Sequence, residues 1–334
     1  MKVVAFTMPL AEDCPRGSTA VMVFSLNLFF PQLLALAAGA SGPASFSEAE
    51  LATRYPAVGA ATLLFLGVGL VCDVYLTFRL SGWMRPLTAD SAKPLLRVES
   101  KPWTTRDLLF ATGLLILALA VANSLLAFGL KLARVDQADA PPWSIAAEML
   151  LYAASLLAMG AFFRRRAASW QQAVGIRRES SLPALTFGGI FFFAVLPPLA
   201  IVLVVYERLC HLAGIADTPQ PVVDLLITTD SRVVVGLIVA FAVVLAPVCE
   251  EFFFRGFAYP ALKQRWGTWK ALAVVSAAFA LAHLHVPSLG PLFALALGLG
   301  LAYELTGSLL APITMHALFN ATNAAMLLYV RTHS

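Results

Sequence analysis

Three charged residues fall within six positions of an otherwise apolar stretch, Ala246-Pro-Val-Cys-Glu250-Glu251-Phe-Phe-Phe-Arg255-Gly. Each charge near the centre of a bilayer costs about 2.5–3.5 kcal/mol on insertion scales, so such a run needs partners and a chemical reason. Glu251 and Arg255 are four apart, the spacing at which a carboxylate and a guanidinium meet on one helical face. Glu250 projects about 100° away from that pair. It is therefore the carboxylate placed to meet water or a metal rather than to lock the helix. Ordinary end charges at a membrane interface are the competing reading, and the interleaved Phe252, Phe253 and Phe254 weigh against it.

Farther along, Phe279-Ala-Leu-Ala-His283-Leu-His285 carries two imidazoles near the end of another apolar run. If the chain reverses near Trp266 and Gly267, Glu250 lies about 16 residues before the turn and His283 about 16 after it, so an antiparallel hairpin brings them to one depth. His285 stands about 200° round the helix from His283 and adjoins Pro287, so only one ring can point into that site, and His283 is the one expected. A third run, beginning Thr306-Gly-Ser and ending His316-Ala-Leu-Phe-Asn320, puts an imidazole and an amide four apart on one face. Together they are able to hold a developing oxyanion. Alone, the pair reads as a polar contact between helices worth about 0.6 kcal/mol; beside Glu250 and His283 it reads as part of one site. Glu250, His283 and His316 also form a two-His, one-carboxylate set that could hold Zn2+ with an open position for water, although no His-Glu-x-x-His run accompanies it.

These side chains must be carried by helices in lipid. Of 334 residues, 60% are hydrophobic and only 13% charged, with a mean hydropathy of +0.81. A soluble domain carries about 25% charged residues and cannot hide so much apolar surface. The expected class is an all-α polytopic integral membrane protein with eight or nine spans of about 20 residues each. The segments are 19–40, 57–78, 108–130, 143–163, 182–206, 233–254, 271–286, 290–305 and 309–330, of which the first is interrupted by Asn27, Pro31 and Gln32.

The net charge of +4 does not point to nucleic acid, because Lys and Arg are distributed by loop. Fourteen lie in 79–107, 164–181 and 262–270, against six in the alternate loops and the C-terminus. The positive-inside rule then puts the N-terminus in the cytoplasm and the C-terminus outside. Four cysteines show no CxxC spacing, so no disulfide framework is expected. The first twenty residues include Glu12 and Asp13 and lack the pattern of a cleaved signal peptide.

Residues 1–180 read as an N-terminal helical region of unknown role, with long polar loops. Residues 182–330 pack five spans closely and place Glu, Arg and His inside them, and the basic loop 164–181 is the natural boundary. In the first region Asp73 and Glu148 lie about one turn inside a span end and are expected to reach for the interface. Pro197 and Pro198 should bend the fifth span.

Glu250-Glu251-x-x-x-Arg255, Phe279-x-x-x-His283, and Thr306-Gly-Ser before His316-x-x-x-Asn320 resemble, in order, the motifs of the CAAX protease and bacteriocin-processing (CPBP, or Abi) family. That family of intramembrane peptidases includes the type II CAAX prenyl endopeptidases. The resemblance covers roughly residues 233–325. It implies that Glu250 activates the attacking water with help from His283, that His316 and Asn320 stabilise the tetrahedral oxyanion, and that Glu251 and Arg255 support the site. It also implies a peptide or lipidated protein as substrate, with membrane lipid as the other partner, and the bacterial inner (plasma) membrane as the location. Some members are described as metalloproteases and others as glutamate-type peptidases, so the expected cofactor is none or Zn2+, with the metal-free route preferred.

Two other classes compete. A catalytically silent membrane scaffold or bacteriocin-immunity factor would keep the fold, but it has no need of Glu250, His283, His316 and Asn320 together. A transporter or proton relay also places Glu and His in the membrane, yet inverted repeats or paired broken helices, its usual signature, are not found.

Overall fold

A computed structural model describes residues 56–80, 98–99, 101–133, 141–167, 169–176, 181–216 and 218–333. The expected span at 19–40 lies outside the described residues. The eight later spans each coincide with a helix: α1 (Pro56–Leu80), α2 (Thr105–Ala133), α3 (Pro141–Arg166), α5 (Ser181–Leu212), α7 (Arg232–Trp266), α8 (Thr268–Ala282), α9 (Leu289–Thr306) and α10 (Leu310–His333). Two short helices, α4 (Trp170–Val174) and α6 (Pro221–Thr228), lie in the connections, and no strand occurs among the described residues. Among the described residues five helices are long and apolar enough to cross a membrane: Pro56–Arg79, Ile145–Arg166, Ser181–Leu212, Arg232–Trp266 and Val286–Thr306. The protein is an all-α polytopic integral membrane protein.

Helix α7 is longer than its expected span and is not uniformly α-helical. Phe241–Leu245 and Phe252–Ala258 are π-helical turns, each shortly followed by a proline, Pro247 or Pro260. A proline has no N–H to donate within the helix, and a widened turn is one way to absorb the missing bond. Glu250 and Glu251 sit on the short α-helical segment between these two turns.

At Gly267, φ is +77° and ψ 173°, a conformation that glycine tolerates and that reverses the chain into α8. Helix α8 then stops at Ala282, short of the expected 286. His283 caps it, Leu284 enters the left-handed region at φ +50°, and Val286–Ser288 forms a 3-10 turn into α9. The chain cannot run on as helix here because Pro287 is so near.

Close packing seats the last helix. A Cβ at Gly188 of α5 would lie 2.6 Å from the carbonyl oxygen of Ala311 and 2.7 Å from Cβ of Thr314, so glycine lets α10 approach the α5 backbone. Pro197 and Pro198 lie within the assigned length of α5.

The basic ends gather together. Trp103, fully buried, packs on Phe163 of α3 at 5.0 Å between ring centroids and donates from Nε1 to the Phe257 carbonyl of α7 at 3.2 Å. Lys263 donates to the Val98 carbonyl at 2.8 Å, and Gln264 to the Lys101 carbonyl at 2.7 Å. Val98, Lys101 and Trp103 thus strap the end of α7 that carries Lys263 and Arg265 to the end of α3 that carries Arg164, Arg165 and Arg166.

One expectation in α3 is corrected. Glu148 does not stretch to an interface: its Oε2 is buried inside the protein with no hydrogen-bond partner. It lies one turn from Ile145 and Tyr152, both on the inward face of the helix, and it shares that face.

Candidate active site

The charged run of α7 is buried within protein. Glu250 is 7% exposed, Glu251 0% and Arg255 1%, so these groups are shielded from lipid as well as from water. Arg255 Nη1 donates to Glu251 Oε1 at 2.9 Å, as the four-residue spacing predicts, and Nη2 donates to the Ala296 carbonyl of α9 at 2.9 Å. Glu251 Oε1 also accepts from His316 Nδ1 at 3.0 Å. Glu251 therefore bridges α7 and α10 besides serving as the arginine's partner.

Phe279, fully buried, organises the centre. Its ring lies 4.7 Å from that of His283 and 5.9 Å from that of His316, and the Arg255 guanidinium stacks over it at 4.8 Å. Phe254 meets the same ring edge-on at 5.1 Å, which sets the register of the hairpin. One turn farther from Gly267 than Phe254 and Phe279, the chain carries Glu250 and Glu251 on α7 and His283 at the end of α8. His283 lies within electrostatic reach of His316 and Arg255, and Glu250 within reach of Arg255 and of Tyr152 on α3.

Both imidazoles have a defined orientation. A carbonyl oxygen can only accept, so His283 Nδ1 carries the proton it donates to Phe279 at 2.6 Å, and Nε2 is the other edge. That Nε2 is buried and has no hydrogen-bond partner. His316 is likewise held by Nδ1, which donates to the Glu251 carboxylate and leaves Nε2 as its other edge. Asn320 shares the face of His316 but points its amide to a different level of α7, donating from Nδ2 to the Ala242 carbonyl at 2.8 Å, while its buried Oδ1 lacks a partner. His285 turns away to Thr218 and Ser288.

Sequence spacing alone assigned no role to Phe279 or Tyr152. The aromatic one turn before His283 was the available signal for Phe279; nothing local marked Tyr152, whose backbone carbonyl accepts from Cys249 Sγ at 3.4 Å. A ring nitrogen held by a carbonyl or carboxylate, with the other nitrogen as the remaining edge, suits either a proton acceptor or a metal ligand. Among the described residues, however, no three His, Cys, Asp or Glu side chains stand close enough together to hold a metal ion. The set Glu250, His283 and His316 does not fit zinc in this arrangement.

No curated protein and no solved structure matches the chain. Residues 232–322 match the family model described as type II CAAX prenyl endopeptidase Rce1-like. The matched segment runs from the start of α7 into α10 and contains Glu250, Glu251, Arg255, Phe279, His283, His316 and Asn320. Residues 232–322 of this membrane protein are therefore similar to the type II CAAX prenyl endopeptidases of the Rce1-like family.

Proposed function

We propose that the protein is an intramembrane endopeptidase that hydrolyses a peptide bond in a membrane-associated peptide or protein, prenylated tails included. The observation that carries the reading is Nε2 of His283, a buried polar atom without a protein partner in the same matched segment as the buried Glu250. Buried polar atoms cost free energy unless they are hydrogen-bonded, and each such group in a native interior asks for a ligand or water.

In this reading Glu250 and His283 hold a water between them. As the water oxygen attacks the scissile carbonyl carbon, Glu250 accepts its proton and the carbonyl becomes a tetrahedral oxyanion. His316 Nε2, when protonated, and the second amide N–H of Asn320 donate to that oxyanion. The proton then passes to the leaving nitrogen, the C–N bond breaks, and a carboxylate and an amine result. Glu251 holds the His316 ring through Nδ1, and Arg255 fixes Glu251. We place the basic ends of α3 and α7 at the cytoplasmic face of the bacterial inner membrane, in keeping with the distribution of Lys and Arg.

The test is cleavage by the full chain in lipid nanodiscs, read by mass spectrometry on a prenylated tail peptide and on a digest of membrane proteins. Glu250→Ala and His283→Ala should each lower kcat/KM by about 100-fold or more. Equal cleavage by wild type and both variants removes the catalytic assignment.

A further inference from the structure

His283 stands at the end of a helix, and the chain beyond it does not hold itself in place. Its own N–H and that of Leu284 bond three residues back, to Ala280 at 3.2 Å and Leu281 at 3.1 Å, as at a fraying terminus. Leu284 then sits at φ +50°, a conformation that costs an L-residue about 1–2 kcal/mol. Its side chain is 76% exposed and supplies no packing to offset that cost. Something else must fix the turn.

Three separate parts of the chain converge on it. His285 Nε2 donates to the Thr218 carbonyl at 2.9 Å, because a carbonyl can only accept, and in the neutral ring Nδ1 then accepts from the Ser288 hydroxyl at 2.7 Å. Gln220 Nε2 donates to Ser288 Oγ at 3.1 Å, and Gln220 and Ser288 are both buried. Tyr206 of α5 donates from its hydroxyl to the Val286 carbonyl at 2.8 Å. The ring of Tyr206 lies so close to Gly290 that a Cβ there would come within 2.4 Å of it. Both nitrogens of His285 and both ends of the turn are thus held, by α5, by the 218–220 connection and by the start of α9.

We propose that His285, Ser288 and Gln220 are positioning residues that seat the turn from which His283 is presented, with Tyr206 as a lesser fourth member. The proposal deepens the peptidase reading of His283 and rests on it for its effect on catalysis. The spare histidine of the Phe279-x-x-x-His283-x-His285 run acquires a function: it works through its neighbour and touches no substrate. Outer partners of this kind typically change activity by about 10–100-fold, and a misplacement of about 1 Å can cost about 100-fold.

The full chain contains five histidines, few enough for imidazole NMR of histidine-labelled protein in nanodiscs, with His283→Asn to identify the signal of His283. His285→Ala and Ser288→Ala should each move that signal while those of His316 and His333 stay in place, and Gly290→Ala should move it in the same way. On the peptide substrate kcat should fall about 10–100-fold with KM little changed, with a smaller fall for Tyr206→Phe. If His285→Ala does not fold, Ser288→Ala carries the test at the same seat. An unmoved His283 signal in folded Ser288→Ala or His285→Ala overturns the proposal, whatever the activity. Absence of Glu250-dependent cleavage in wild type sinks the peptidase reading instead, and the NMR shift still decides whether the seat holds His283.

Discussion

The two regions of the chain bury different things. In Pro56–Arg79 and Ile145–Arg166 only 6% of the most apolar window is buried inside the protein, against 33%, 44% and 50% in Ser181–Leu212, Arg232–Trp266 and Val286–Thr306. Among the described residues the polar and charged side chains that are buried almost completely, from Gln220 to Asn323, lie in the later region, and the early region buries one carboxyl oxygen, that of Glu148. The early helices present leucines and valines outward to what must be lipid; the later ones exclude lipid from a core of glutamate, arginine, histidine and asparagine. Lipid tails are as apolar as leucine, so facing them costs a hydrophobic helix little, whereas an ionised group needs neighbours that satisfy it. A helix in the first region is thus replaceable surface, and one in the second is part of a hydrogen-bonded assembly.

Substitutions can break or sharpen that contrast. The largest effect is expected for Arg255→Met, which strands the buried Glu251 and the Ala296 carbonyl and should cost about 3–5 kcal/mol, read as loss of unfolding free energy in mild detergent. A fall under about 1 kcal/mol would mean that the polar core is no more critical than the lipid-facing surface. Next comes Trp103→Ala, at about 3 kcal/mol, since this is the deepest anchor of the early region on the late one. It should also expose residues 98–105 to protease, and unchanged proteolysis would show that the strap does not bind the two regions together. Smallest is Leu63→Ala on α1, which is 73% exposed and should change stability by no more than about 0.5 kcal/mol; a larger loss would imply a partner on that face.

Part of the architecture is legible in the chain alone. Length and hydropathy place the helices from 57 onward, because a bilayer sets the length of an apolar helix and the backbone must satisfy itself within it. Local spacing predicts the Glu251–Arg255 pair, and the turn residues near Trp266 and Gly267 predict the reversal between α7 and α8. The end of α8 was legible only in part: Pro287 bars a long continuation, but an apolar run reaches Val286, and the stop at Ala282 is seated by Tyr206, Thr218 and Gln220, which receive the turn. Nor could the inward set of Glu148. Its neighbours in sequence are equally compatible with an interface, and only the packing of α3 on α7 turns the carboxyl inside.

What the sequence determined by itself, then, is the solvent, the helices, the one pair that a single helix can close, and a short roster of other groups with no business in lipid unless they meet. Tertiary structure decided which groups on different helices meet. It joined His316 to Glu251, sent the Asn320 amide to the Ala242 carbonyl, and set Phe279 between two imidazoles and a guanidinium. The reason is physical: a helix apolar all round carries no preferred face in its own pattern, so its rotation and register are fixed only by the neighbours that close against it.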